Sequence, residues 1–173
     1  MDQNFLDSMT EEVDALLESA GIAADWKIDR VPEPVFAIVV VNVRGSCSAS
    51  ELPPGPLGPS ALGWAHISDG VVLPFCVVDC GRLLARITPE LRSYPIEKRN
   101  RLLGRAAARV LGHEVFHILT ASRKHSNAGL TRSTLSVTDL IHGNTEFQTD
   151  DIRRIRLGPV CNGFPKEKIF STR

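Results

Sequence analysis

The sequence is poor in aromatic and sulfur side chains, carries no charge excess and contains no long apolar run. Aromatic residues make up 6% of the 173 positions, Tyr94 is the single tyrosine, and the only methionines are Met1 and Met9. The absence of an apolar stretch of about eighteen residues excludes a membrane-spanning helix. The opening segment, MDQNFLDSMTEEVDALLESAG, is acidic and helical in pattern rather than basic and apolar, so it is not a secretory signal, although a processed mature form is compatible with it. The formal net charge is +0, yet residues 1–100 carry 8 basic and 14 acidic side chains and residues 101–173 carry 12 and 6. That dipole can steer a partner, but the basic half lacks interleaved aromatics, so nucleic-acid binding is not expected. There is no C-x-x-C, and Cys76 and Cys80 lie in a β-like run where that spacing does not converge; with Cys47 and Cys161 they are expected as buried thiols or long-range bridges. With 43% hydrophobic residues, the chain is long enough for one domain, 1–173, built around its own core.

What the sequence does have is RLLGRAAARVLGHEVFHILTASRKH, residues 101–125, which contains H-E-x-x-H at His113, Glu114 and His117. Pro95 precedes it, and no proline interrupts Ile96 to Ala121, where Leu102, Leu103, Ala107, Leu111, Val115, Ile118 and Leu119 recur at helical spacing. Residues four apart on a helix lie one above the other, so the two imidazoles can reach one metal ion. Glu114 is turned about 100° from His113, close enough to touch a water at that metal without being a ligand. The bland alternative is a pair of helix-surface histidines beside an acidic neighbour. A further histidine favours the metal: His125 follows His117 by eight residues, past Ser122, Arg123 and Lys124, where the helix can end. Asp139, His142 and Glu146 are its rivals for the third ligand position.

These residues resemble the metzincin superfamily of zinc-dependent metallopeptidases, in a small bacterial form. His113, Glu114, His117 and His125, followed by Gly129-Leu130, carry the resemblance. It implies a mixed twisted sheet above one active-site helix, one zinc ion held by His113, His117 and His125, Glu114 as general base, and peptide bonds as substrates. Two departures stand out. The family places its third histidine six residues after the second with a glycine between; here the separation is eight and position 120 is Thr. It also has a methionine turn beneath the metal, for which Leu130 is the nearest analogue in this chain. The resemblance covers about residues 101–130 and is only architectural elsewhere.

Around this motif, residues 3–20 read as an amphipathic helix with Phe5, Leu6, Met9, Val13, Leu16 and Leu17 inward. A strand is expected at Asp25–Asp29, and the β-branched run Val35–Val43 reads as a central strand covered on both sides. Residues 44–60 form a Gly-, Ser- and Pro-rich loop suited to framing a cleft. ALGWAHI and VVLPFCVVDC read as two strands joined at Ser68-Asp69-Gly70, with Pro74 at an edge or bulge. One of them is the candidate edge strand that lines the cleft and pairs with an extended peptide. His66 reads as a rim residue and Tyr94 as core. Pro89 and Pro95 should stop the segment from Arg82 to Tyr94. Ser136 and Asp139 form a capping box that starts a helix at Val137. A last helix begins at Thr149-Asp150-Asp151, with Ile152 and Ile155 inward and Arg153, Arg154 and Arg156 wet, and the tail from Gly158 to Arg173 should strap down through Phe164 and Phe170.

The fold class expected is therefore α+β, with a mixed twisted sheet of about four strands packed on an N-terminal helix and a central active-site helix. The function expected is zinc-dependent peptide-bond hydrolysis by an endopeptidase. A non-catalytic domain with a structural or vestigial zinc site, or a zinc hydrolase of another amide, are the alternatives.

Overall fold

The computed structural model describes residues 1–27, 37–55, 58 and 60–162. Its elements run α1 (Gln3–Ser19), β1 (Val40–Arg44), β2 (Gly63–Ser68), β3 (Val71–Asp79), α2 (Cys80–Leu91), α3 (Ile96–Thr120), α4 (Val137–Ile141), α5 (Thr149–Leu157) and α6 (Pro159–Asn162). The architecture is mixed α+β. Among the described residues the sheet has three strands in the order β1-β3-β2, with β1 parallel and β2 antiparallel to β3.

The β2–β3 hairpin turns at Asp69 and Gly70, both at positive φ (51° and 80°), the backbone that matches the twist of a two-residue hairpin. Pro74 falls where the ladder slips: between the pairs Ala65↔Cys76 and Ile67↔Val72, β2 has one residue and β3 has three. A residue without an N–H is tolerated at such a bulge. Two expectations about strands need correction. The run ending at Val43 supplies β1, which is an edge of the described sheet, and its residues alternate between exposed and half-buried. The central strand is β3, whose Cys76, Val77 and Val78 are buried. An unbroken apolar run therefore marked sheet membership without marking position in the sheet. Residues 25–27 adopt no strand; Trp26 instead donates its indole N–H to Asp14 of α1 at 2.7 Å. Residues 28–36 of the expected strands lie outside the described residues, as do Phe164 and Phe170 of the expected strap.

α3 is the spine. Gly104 and Gly112 of α3 meet α1, whereas Val110 and Glu114, on a different face of the same helix, meet β2. Contact with α1 is close because position 104 has no side chain: a Cβ there would stand 2.4 Å from the Phe5 carbonyl oxygen. Arg109, only 3% exposed, joins the two helices by donating Nε to Glu12 at 2.9 Å, and its Nη1 reaches the Asp139 carbonyl at 2.5 Å. α3 starts after Pro95 and ends at Ala121 in a left-handed conformation, φ 45°. α2 does not stop at Pro89 but passes through it to Leu91. Near the end of a helix proline forfeits one backbone bond, and the buried stripe of Leu83, Leu84, Ile87 and Leu91 holds the turn in place. Cys47 and Cys80 form a disulfide that ties the loop after β1 to the start of α2, leaving Cys76 and Cys161 as free thiols.

Candidate metal centre

His113 and His117 project from the sheet-facing side of α3, as their four-residue spacing requires. Each is held by its Nδ1. His113 Nδ1 lies 2.9 Å from the Leu130 carbonyl oxygen, and His117 Nδ1 lies 2.7 Å from the Ser122 carbonyl oxygen. A carbonyl oxygen only accepts, so in the neutral ring Nδ1 keeps the proton and Nε2 is left with its lone pair. The two Nε2 atoms face each other at 3.1 Å. Neither ring then has a proton to place between them, and two lone pairs at that distance repel. Burial lowers both histidine pKa values, that of His117 to about 4, with the Leu130 and Ser122 carbonyls acting in the opposite direction.

His125 arrives from the segment after α3. Its ring centroid is 5.1 Å from that of His113 and 4.9 Å from that of His117. One ligand atom from each of the three rings lies within 4.8 Å of the others, so His113, His117 and His125 could hold a metal ion. The donor set fits: nitrogens bound to one zinc ion at about 2.0–2.1 Å stand about 3.3 Å apart at tetrahedral angles. The helical pair already has nearly that separation, and the exposed His125 ring stands beside both. The other sequence candidates are elsewhere. The Asp139 carboxylate accepts from the Ser136 N–H at 2.7 Å in the capping box and pairs with Arg132. His142 ends α4, and neither it nor Glu146 lines the cavity around the three histidines. His66 is exposed and borders a separate, smaller cavity with Val40 and Phe75. Tyr94 lies under the Lys98 ammonium, 4.1 Å from the ring centroid.

Glu114 is 8% exposed, and its Oε2 accepts the Ala65 N–H of β2 at 2.8 Å. Burial pushes its pKa up to about 7, and the Ala65 hydrogen bond works against that rise. β2 can come this close to α3 because position 63 is glycine: a Cβ would meet Val110 Cγ1 at 2.6 Å and Val77 O at 2.8 Å. The Ala65 N–H points away from β3, on the free edge of the sheet, since β2 has no strand beyond it among the described residues. That edge, with α2 and the segments 123–125 and 132–135, encloses a cavity of about 730 Å³ containing His113, Glu114 and His117. Gly58 and Ser60, from the end of the Pro-rich loop, also border it.

Four contributors were not legible in the sequence. Ala65 acts through its backbone, and so do Leu130 and Ser122, leaving no side-chain signal. The fourth is α5. Asp151, fully buried, accepts from Ser126 Oγ at 2.5 Å, Thr131 Oγ1 at 2.7 Å and Gln148 N at 3.1 Å. Arg154, expected to be wet, lies over the Phe116 ring and donates Nη2 to the Lys124 carbonyl at 3.2 Å. Arg156 is exposed, as expected, and its Nε donates to the Ala20 carbonyl at 3.1 Å. A signal existed for Asp151: it stands four residues before Ile155 on the buried stripe of α5. No family model, no curated protein and no solved structure matches this chain.

Proposed function

We propose that the chain is a zinc-dependent metallopeptidase of metzincin-like architecture that hydrolyses internal peptide bonds. The observation that carries this reading is the facing pair of Nε2 atoms, 3.1 Å apart on rings whose Nδ1 atoms meet carbonyl oxygens, with a third imidazole beside them and a buried carboxylate on the adjacent helix position. Such a donor set is suited to one zinc ion with an open position, held by His113, His117 and His125. When bound, zinc supplies Lewis acidity that polarises an amide carbonyl and acidifies water. The chain's own residues supply the rest. The Leu130 and Ser122 carbonyls fix the ring tautomers and raise their basicity. Glu114, held at one oxygen by Ala65, keeps its other oxygen for proton transfer: it takes a proton from the attacking water and returns it to the leaving nitrogen. The free edge of β2 offers backbone groups at the height of Glu114, so an extended peptide can pair there with its carbonyl near the histidines. Fully buried Leu130 takes the place of the methionine floor of the family.

The test separates ligand from base. Purified protein should bind one zinc per chain by elemental analysis and cut peptides from a proteome-derived library. Glu114→Ala should retain zinc and lose hydrolysis by about 10²–10⁴-fold. A variant that cuts as fast as the parent removes Glu114 from the mechanism. A protein that takes up no zinc after loading in chelator-free buffer removes the whole reading.

A further inference from the structure

The cavity that holds the histidines is lined by four arginines: Arg82 and Arg86 from α2, Arg123 from the segment after α3, and Arg132. Among the described residues lining it, Glu114 is the only acidic one, and its carboxylate is engaged by Ala65. The four arginines are not equivalent. Arg82 Nε stands 3.5 Å from Asp79 Oδ2, and its Nη1 donates to the Ala61 carbonyl at 3.3 Å. Arg132 is paired with Asp139. These two bring their own counter-charges. Arg86 and Arg123 are exposed and have no salt-bridge partner among the described residues. Two guanidiniums without an ion-pair partner among the described residues therefore converge from different elements on one concave surface, where low-dielectric walls focus their field.

Backbone pairing along β2 is blind to side chains, so any selectivity has to come from what else lines the cleft. The unpaired groups there are guanidiniums, which bind carboxylates through parallel N–H donors. A nucleic acid fits less well. Its backbone cannot extend a sheet edge, and Trp64 is the only aromatic side chain among the described lining residues, so no platform exists for successive bases. We infer that the cleft selects extended peptide segments rich in Asp and Glu, with Arg86 and Arg123 as the specificity-determining residues. Cleavage of those segments rests on the metallopeptidase reading; their selective binding does not.

Binding is measured without turnover, on zinc-loaded Glu114→Gln protein, by fluorescence anisotropy with short labelled peptides of alternating Glu and Ala, Gln and Ala, or Lys and Ala. The Glu peptide should bind about tenfold tighter than the Gln peptide, the Lys peptide weakest, and the gap should shrink as salt is raised. Arg86→Glu and Arg123→Glu should each weaken the Glu peptide by several-fold, and the double variant should favour the Lys peptide; Arg86→Lys and Arg123→Lys should keep the original order. Circular dichroism checks that each variant is folded, and Arg86→Gln with Arg123→Gln provides a milder pair, which should abolish the preference without reversing it. Equal affinity for Glu and Gln peptides, or a preference untouched by the double charge reversal, overturns the inference. So does an oligothymidylate of equal charge that binds as tightly as the Glu peptide. Parallel digestion by the zinc-loaded parent protein keeps the two proposals apart. Selective binding without cleavage supports the arginine-lined cleft and overturns the peptidase, whereas equal binding with efficient cleavage does the reverse.

Discussion

The two halves of the candidate metal centre are built on different physical grounds. His113, Glu114 and His117 stand on a 25-residue helix clamped between α1 and the sheet, and their relative positions follow from helix geometry. His125 stands on irregular chain after the left-handed turn at Ala121, and no local periodicity places it. Its position is set by α5. Asp151 gathers Ser126 and Thr131, the Ser126 N–H meets the Thr131 carbonyl at 3.0 Å, and Arg154 reaches back to Lys124. The same loop carries Leu130, whose carbonyl orients His113, so one buried carboxylate supports both the third candidate ligand and the tautomer of the first. A helix delivers a motif that can be read in five letters, whereas a loop delivers a candidate ligand only through a partner supplied some twenty-five residues later (Ser126 to Asp151).

Removing ligands probes this contrast most strongly. His113→Ala and His117→Ala should each reduce zinc affinity by more than the roughly 10–100-fold typical of outer-shell changes, as competition with a chromogenic chelator would measure. His125→Ala should also weaken zinc beyond that range while leaving the far-ultraviolet circular dichroism of α3 unchanged. Parent-like affinity in His125→Ala would mean that the loop contributes no ligand and that the comparison is between a site and its surroundings.

How far each half could be read follows from where its determinants lie. The apolar positions from Leu102 to Leu119, Pro95 and the histidine spacing all lie within one segment, so α3 and its three candidate site residues are visible in sequence. The Ser136–Asp139 capping box and the Asp69-Gly70 turn are visible for the same reason. Pairings between distant segments are not. Nothing near Val40–Arg44 says that it will lie parallel to β3 at an edge, and nothing near Cys47 selects Cys80 over Cys76 or Cys161. Arg109 reads as a polar position on α3 until Glu12 of α1 meets it. Arg154 reads as a solvated charge until the loop that it holds is in place. The first turn of α5 looked like an ordinary acidic helix start because the partners of Asp151 are hydroxyls on another segment.

Asp151 is the next lever. Asp151→Ala leaves the buried Thr131 hydroxyl and the half-buried Ser126 hydroxyl without their acceptor and should cost about 3 kcal/mol of stability in urea unfolding, by the scale of hydrogen bonds to a charged group. Zinc affinity should fall about 10–100-fold, the range for an outer-shell partner. Asp151→Asn, which keeps one acceptor oxygen, should fall between the parent and Ala in both measurements. Hydrogen exchange should locate the loosening in residues 122–132 and leave the central turns of α3 protected. Loss of stability with undiminished zinc binding would show that the loop is held by other means, and the two halves would no longer differ as described.

Asp139 gives the smallest effect and the cleanest control, because it is the counterpart of Asp151 in the neighbouring helix. Each aspartate stands at the third position of a short helix and accepts the backbone N–H of the residue before that helix, Ser136 for Asp139 and Gln148 for Asp151. They differ in what else they hold. Asp151 reaches the loop that carries His125 and Leu130, whereas Asp139 spends its remaining capacity on the Ser136 hydroxyl and on Arg132. Asp139→Ala should therefore cost about 1 kcal/mol, the usual scale for losing a cap, while zinc affinity stays at the parent value. Arg132 loses its counter-charge in this variant, so an acidic peptide should bind slightly more tightly, which separates the cleft from the metal. A collapse of zinc affinity in Asp139→Ala, with His125→Ala binding normally, would instead make the third ligand a carboxylate from α4 and leave Glu114 and the helix pair in their present roles.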